Sequence, residues 1–104
     1  MAQKEFSFID PNTKQKIIVA AHDDKQQAWE NKDDQSGWQV PTIDELEAMY
    51  EQLHKRGQGN FKNEIYWSST EFSQIDGWYY DFGKGMDGTA LKILYANIRR
   101  IKKI

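Results

Sequence analysis

Residues 40–57 have the sequence VPTIDELEAMYEQLHKRG, the clearest local pattern in the chain, which predicts an α-helix. Thr42 and Glu45 have the spacing of a capping box, in which the hydroxyl accepts from the N3 amide and the carboxylate accepts from the N-cap amide. Acidic residues lie in the first turn and basic residues in the last, which matches the helix dipole, and Gly57 is a typical C′ residue. The apolar side chains recur at i, i+3, i+4 and i+7 and form one stripe: Leu46, Met49, Tyr50 and Leu53.

The sequence before this helix predicts a hairpin followed by a shorter helix. Two strands, at residues 6–8 and 16–21, flank a turn cluster at residues 10–13. Asp24 and Gln27 then have the three-residue spacing of a helix start. We therefore expect an N-terminal hairpin and two helices in the first half of the chain.

After the helix the apolar pattern changes to a period of two, which predicts strands. Residues 65–70, 77–82 and 91–101 have this pattern, with a loop at residues 71–76 and a glycine-rich turn at residues 83–88. Two helices followed by antiparallel strands with long loops indicate an α+β fold.

Four segments, in this order, closely resemble the motifs of one family. They are GWQVPTIDEL at residues 37–46, YWSST at 66–70, GWYYDF at 77–82 and IRRIK at 98–102. They resemble a family of bacterial and phage C-type-lectin-like domains with the pattern W-R-L-P-T-x-x-E-L, Y-W-S-S-T, a W-x-x-x-F strand and V-R-x-V-R. That family includes the C-terminal ligand-binding domain of a bacterial collagen-like adhesin. The resemblance covers about residues 20–102 and implies a C-type-lectin-like fold with these motif residues in structural roles: Trp38, Thr42, Glu45, Leu46, Trp67, Trp78, Phe82 and Arg99.

The chain departs from this family at two positions. Family members often carry a cysteine in the last motif, where this chain has Arg100, and an arginine in the first motif, where it has Gln39. Many of them are exported, whereas the start of this chain has no apolar segment typical of a signal peptide. Together with the absence of cysteine, this predicts a cytoplasmic protein.

Composition excludes several classes of function. The 104 residues suffice for one domain, residues 1–104, and the lack of cysteine excludes disulfides, thiolate zinc sites, iron–sulfur clusters and a cysteine nucleophile. No segment is long and apolar enough for a membrane span. The charge is −6 over residues 1–52 (5 basic, 11 acidic) and +4 over residues 53–104 (9 basic, 5 acidic). The isoelectric point of about 5.6 argues against a nucleic-acid partner.

No combination of residues points to catalysis or to a metal. The chain has prolines only at Pro11 and Pro41, so it lacks the proline-containing loop with which calcium-dependent lectins bind their metal. His22 and His54 lie far apart without ligand-like spacing. Four acidic residues of the second half could in principle supply a glycosidase pair, but nothing in the sequence places two of them across a cleft. We therefore expect no enzyme activity and no cofactor.

The loops remain as the candidate binding surface, because binding residues are most often found on loops of a rigid scaffold. They are residues 58–64, 71–76 and 84–89, together with an outward-facing Tyr79. We predict a non-catalytic module that recognises a protein partner through this loop face. The alternatives are a calcium-independent domain that binds carbohydrate or a polyanion, and a structural subunit of a homo-oligomer or virion. The candidate ligand-binding residues are Asn60, Phe61, Glu71, Phe72, Asp76, Tyr79, Lys84 and Asp87.

Overall fold

Eight strands and one α-helix make up the regular structure of the part that the computed structural model describes, residues 5–31 and 37–103. Short 3₁₀ turns occupy Trp29–Asn31 and His54–Arg56. The elements are β1 Phe6–Ile9, β2 Lys16–Val19, β3 Asp24–Ala28, α1 Ile43–Gln52, β4 Ile65–Glu71, β5 Asp76–Asp81, β6 Met86–Leu91, β7 Tyr95–Ile98 and β8 Ile101–Lys103.

The strands form two sheets. The smaller one is antiparallel in the order β1-β2-β8, so it joins the beginning of the chain to its end. The larger one has the order β3-β7-β4-β5-β6. Strands β4 and β7 are joined at Tyr66 and Asn97, and the other neighbouring strands pair antiparallel. The strands β3 and β6 therefore form the two edges of the larger sheet.

Helix α1 begins at the predicted capping box. The Glu45 N–H donates to Thr42 Oγ1 at 3.2 Å, and the Thr42 N–H donates to Glu45 Oε1 at 2.8 Å. A third bond, from the Ile43 N–H to Thr70 Oγ1 at 3.0 Å, ties the helix start to β4. Leu46 and Met49 are fully buried, so the apolar stripe faces the core.

Two apolar cores lie around these elements. In the first, the helix packs against both sheets, and it contains Phe8, Ile17, Val19, Leu46, Ala48, Met49, Leu53, Tyr66, Tyr80, Phe82 and Ile101. The second contains Trp67, Val40, Ala96 and Ile98, with Tyr79 and Ala90 packed against it. Tyr79 and Tyr80 are neighbours on β5 yet pack into different cores, because successive strand residues point to opposite faces. Both faces of the larger sheet therefore contribute to a core.

The prediction of a first helix is wrong, since the residues from Asp24 to Ala28 form β3 and only one turn of 3₁₀ helix follows. Strand β3 pairs with β7, and the Asp24 carboxylate accepts from Arg100 Nε at 3.0 Å. That carboxylate also accepts from the Lys25 N–H at 2.9 Å rather than capping a helix. Tertiary pairing therefore outweighs a weak local preference for helix. The described part of the chain is mostly β with one α-helix, rather than the two-helix α+β arrangement.

The single last strand predicted for residues 91–101 is also wrong. The segment forms the end of β6, a turn, β7 and β8. Between β7 and β8 the chain leaves the larger sheet for the smaller one, at Arg99 and Arg100, and both of these side chains are buried. Among the residues that the structure describes, no helix has the length and apolar character needed to cross a membrane.

Candidate functional site

The predicted binding residues lie at two ends of the larger sheet. The central strand β4 has seven residues, which at about 3.4 Å each separate its ends by roughly 20 Å. We call the two sites the tether end, formed by loop 57–64 with turn 82–86, and the apolar end, formed by loops 72–75 and 91–95. Asn60, Phe61 and Lys84 lie at the tether end, whereas Glu71, Phe72 and Asp76 lie at or beside the apolar end. Tyr79 and Asp87 lie on the strands between them.

The tether end is built around the guanidinium group of Arg99, which is 1% exposed. Its Nη1 donates to the carbonyl oxygens of Gly59 at 2.6 Å and Ala20 at 3.1 Å, and its Nη2 donates to the Asn60 carbonyl at 2.9 Å. Its Nε donates to Asp23 Oδ1 at 2.9 Å. One side chain therefore fixes a loop, the β2–β3 connection and a carboxylate at once.

The Asp23 carboxylate is shared with the phenol of Tyr66. The Tyr66 hydroxyl lies 2.9 Å and 2.8 Å from the two carboxylate oxygens, and it accepts from the Lys62 N–H at 3.0 Å. Burial, together with the negative charge of Asp23, raises the pKa of Tyr66 well above its ordinary value. The phenol is therefore a stable donor, and loop 57–64 is held at a second point.

Most of the contact surface of the predicted binding residues at the tether end is already used inside the fold. The Phe61 ring is half-buried, with the guanidinium carbon of Arg99 4.3 Å from its centroid and the ring of Phe82 at 4.8 Å. The Asn60 carbonyl is used by Arg99, and its backbone has a φ of 58°. The Asn60 and Lys84 side chains remain exposed. This end therefore has the character of a structural anchor for a loop.

The apolar end is organised by Lys92, which is 4% exposed. Its backbone N–H donates to the Ile75 carbonyl at 2.8 Å. Its side-chain ammonium donates to Glu71 Oε2 at 2.5 Å and to the Gln74 carbonyl at 3.1 Å. The ammonium also lies 4.4 Å from the centroid of the Trp29 ring. A buried cation thus joins loops 72–75 and 91–95 into one surface.

The outer part of this surface is apolar. Its large side chains are 44–68% exposed, and they are Phe72, Ile75, Leu91, Ile93, Leu94 and Tyr95. Aromatic side chains bury roughly 150–250 Å² each, so Phe72 and Tyr95 at more than half exposure present on the order of 200 Å² by themselves, and the four aliphatic side chains enlarge this surface. The largest apolar patch on a typical monomer covers roughly 300–600 Å² and is often functional. Among the described residues, this surface is the one suited to contact an apolar surface of a partner.

The sequence prediction included Phe72 at this end but missed Lys92 and loop 91–95. The period of two over residues 91–101 predicts one strand there, and so no surface loop at residues 91–95. A signal was present: the run from Leu91 to Tyr95 places four large apolar residues around a single lysine. Pattern alone did not show that most of these side chains point to solvent.

Tyr79, expected to point outward, is half-buried in the second core. Its ring centroid lies 6.4 Å from that of Trp67, and its hydroxyl lies where a side chain on Gly88 would clash. Asp87, on the adjacent strand β6, is exposed.

The tryptophans expected in structural roles differ in burial. Trp67 is fully buried and its Nε1 donates to the Leu94 carbonyl at 3.2 Å, which anchors loop 91–95 from below. Trp78 is half-buried against Phe72, with ring centroids 5.5 Å apart. Trp38 is also half-buried, and the Lys102 ammonium lies 5.5 Å from the centroid of its ring. The apolar end is therefore continuous with the second core through Trp67.

Carboxylates neutralise much of the positive charge of the second half of the chain. The ion pairs are Arg99 with Asp23, Arg100 with Asp24, Lys92 with Glu71, Lys103 with Glu45 and, at the surface, Lys55 with Glu51. Burial opposes ionisation of Asp24, but the hydrogen bonds from Arg100 and the Lys25 N–H outweigh it and lower the pKa of that carboxyl. The described residues contain no cluster of histidine and acidic side chains that could hold a metal ion.

Comparisons with known proteins assign no family. No protein-family model matches the chain, and no curated protein matches it. The resemblance to C-type-lectin-like domains therefore stays a prediction from its four sequence motifs.

Proposed function

We propose that the protein is a non-catalytic binding module that recognises a protein partner through the apolar end. The observation that carries this proposal is the group of six large apolar side chains on two adjoining loops, each at least 44% exposed. Removing such surface from water favours association by roughly 25 cal/mol per Å². A hydrophilic ligand such as a sugar or an anion would gain little binding free energy from this surface.

The surface is also well suited to binding because its loops are held in place. Lys92 joins the two loops from below, and Trp67 holds the Leu94 carbonyl. A surface that is already ordered loses less side-chain and loop freedom when a partner binds. The motifs shared with lectin-like binding domains support the same general role.

The polyanion alternative has less support. It was suggested by the basic second half of the chain, but Arg99, Arg100 and Lys92 are buried and paired with carboxylates. Buried and neutralised charges contribute little to the attraction of a distant anion. The protein-binding role is therefore the one that the surface favours.

A quantitative capture experiment tests the proposal. The immobilised chain, the double variant Phe72→Ser and Ile93→Ser, and the control Ile9→Ser are exposed to the same lysate, and retained proteins are measured by mass spectrometry. Ile9 is 46% exposed on the smaller sheet, so the control removes a similar side chain elsewhere.

We expect at least one protein that the wild type and the Ile9 variant retain equally. The double variant should retain it about tenfold less, because central apolar residues carry most of the energy of an interface. Equal retention by all three chains would contradict the proposal.

A further inference from the structure

The strand β6 forms an open edge of the larger sheet. In the part of the chain that the structure describes, β5 is its only strand neighbour, in a register that runs from Asp76↔Leu91 to Asp81↔Met86. The Lys92 N–H donates to the Ile75 carbonyl, one step beyond Leu91. Hydrogen-bonded and non-hydrogen-bonded pairs alternate in an antiparallel ladder. The backbone groups of Asp87 and Thr89 therefore point away from β5, toward the open edge, whereas the Leu91 carbonyl on the same side already accepts from the Leu94 N–H at 3.0 Å.

This edge lacks the features that usually prevent strand addition. Strand β6 has the sequence MDGTAL, with no lysine and no proline, and its six pairs with β5 show no register shift. The opposite edge, β3, carries Lys25 and has a register shift between Asp24 and Gln27. Lysine, proline and bulges on an edge strand discourage pairing with another chain, and β6 has none of these, its single charged residue being the acidic Asp87. Strand β6 is thus the edge that can accept an added strand.

The surroundings of the β6 edge are acidic. Asp87 is exposed on β6, and its cross-strand partner Tyr80 packs against Tyr50 of α1. That helix carries the exposed Glu47 and Glu51, of which Glu51 also pairs with the exposed Lys55. Burial raises the pKa of Tyr80 to about 12, and the charges of Glu47, Glu51 and Asp87 add to the rise. Tyr50 lies between Glu47 and Glu51 on α1, and its ring is 5.3 Å from that of Tyr80 while its hydroxyl lies against Gly85, just before β6. The three carboxylates therefore border this end of the edge.

Toward the other end of β6, the same face of the sheet is apolar. Trp78 lies across from the exposed Thr89, and Phe72 packs on Trp78. Leu91 ends the strand as part of the apolar end. An extended segment that followed β6 would therefore pass from carboxylates to aromatic and aliphatic side chains.

We infer that the β6 edge accepts an extended, basic segment of the protein partner as an added strand. The inference rests on the proposed function and names the partner's chemistry. The segment's backbone pairs with Asp87 and Thr89, and its lysine or arginine side chains face the carboxylates of Asp87, Glu47 and Glu51. Addition of a strand combines affinity from backbone hydrogen bonds with selectivity from side chains.

A second copy of this chain is a poorer occupant of the same edge. It would pair its own β6 there and bring its own Asp87, Glu47 and Glu51 to a surface that already carries these charges. Like charges across a strand pair or an interface are unfavourable. Complementary charge therefore favours a basic segment.

The inference is tested with a fluorescent seven-residue peptide in which lysine alternates with valine and threonine, and with a matched peptide that has glutamate in place of lysine. Binding is measured by fluorescence anisotropy, and amide hydrogen exchange reports which backbone groups become protected. We expect the lysine peptide to bind about tenfold more tightly than the glutamate peptide, because its charges oppose those of the edge. It should also slow exchange at Thr89 and its outward-facing neighbours.

Two sets of variants separate backbone pairing from charge. Thr89→Pro removes an outward N–H at a position where edge strands tolerate proline, and should weaken binding about tenfold. Thr89→Val keeps the N–H, and should bind within about twofold of wild type. The double variant Glu47→Gln and Glu51→Gln should weaken binding and reduce its salt dependence, while circular dichroism checks the fold of every variant.

Three outcomes would overturn the inference. The first is equal binding of the two peptides, and the second is peptide binding without slower amide exchange in β6. The third is slower amide exchange in β6 as the protein concentration rises in the absence of peptide. The last would assign the edge to a second copy. If the peptide fails but a partner still depends on Phe72 and Ile93, only the strand addition is wrong and the proposed function stands.

Discussion

The two ends of the larger sheet use their side chains in opposite ways. At the tether end, Arg99 and Asp23 place charged groups in the interior, where the guanidinium is almost fully enclosed. At the apolar end, Ile93 and Tyr95 place large apolar groups in solvent at 68% and 67% exposure. Each end reverses the usual distribution of polar and apolar residues.

The comparison separates folding from binding. A buried cation that donates to three loop carbonyls fixes the loop conformation, and its removal would leave those groups without partners. Exposed apolar side chains do little for the isolated fold, because their surface stays in water. We therefore expect changes at the tether end to affect stability and changes of the exposed side chains at the apolar end to affect association.

The largest effect is expected from Arg99→Met. The variant leaves Asp23 with a largely buried charge and frees three carbonyls, so the free energy of unfolding should fall by about 3–5 kcal/mol. Urea unfolding followed by circular dichroism measures the change. An effect as small as that of a surface ion pair would contradict the structural role given to the tether end.

The matched variant Arg99→Lys keeps the charge but loses the planar arrangement of five donors. We expect it to recover only part of the lost stability, since one ammonium cannot reach Asp23 and all three carbonyls. Full recovery would show that charge alone, and not the geometry of the guanidinium, organises the loop.

A smaller effect is expected from Lys92→Met, which breaks the contact between the two loops of the apolar end. Glu71 is 60% exposed and can be solvated, so the loss should be about 1–2 kcal/mol, less than for a fully buried pair. Hydrogen exchange at the Lys92 position should also become faster. Lys55→Met is the control, because the exposed pair of Lys55 with Glu51 should contribute less than about 0.5 kcal/mol. Equal effects of the two variants would contradict an organising role for Lys92.

Sequence reasoning predicted what local chemistry determines. The capping box of Thr42 and Glu45 depends on residues three apart, and the predicted bonds are present in the structure. The prediction of a helix at Asp24 is wrong because this segment pairs as a strand with β7, more than 70 residues away in the sequence. The Asp24 carboxylate, which would cap a helix, accepts instead from Arg100.

The candidate site was harder to predict because it depends on where the backbone leaves the strand and forms a loop. The sequence pattern predicts a single strand over residues 91–101. This segment includes both Arg99 and the exposed residues of loop 91–95. The run breaks where Lys92 is drawn toward Glu71 and where Arg99 is drawn toward Asp23. Both attractions act between residues distant in sequence, so periodicity could not reveal them.

The smallest effect on folding is expected at the apolar end itself. Phe72→Ser and Ile93→Ser remove side chains that are 56% and 68% exposed, so each should change the free energy of unfolding by no more than about 0.5 kcal/mol. Urea unfolding of these variants, beside Arg99→Met, measures both ends on one scale. A loss of 2 kcal/mol or more, on the order of a buried core substitution, would mean that these residues support the fold and would remove the distinction between the ends. A small change combined with loss of partner capture would assign this exposed apolar surface to binding, because a substitution that leaves the fold intact can reduce capture only through the surface it alters.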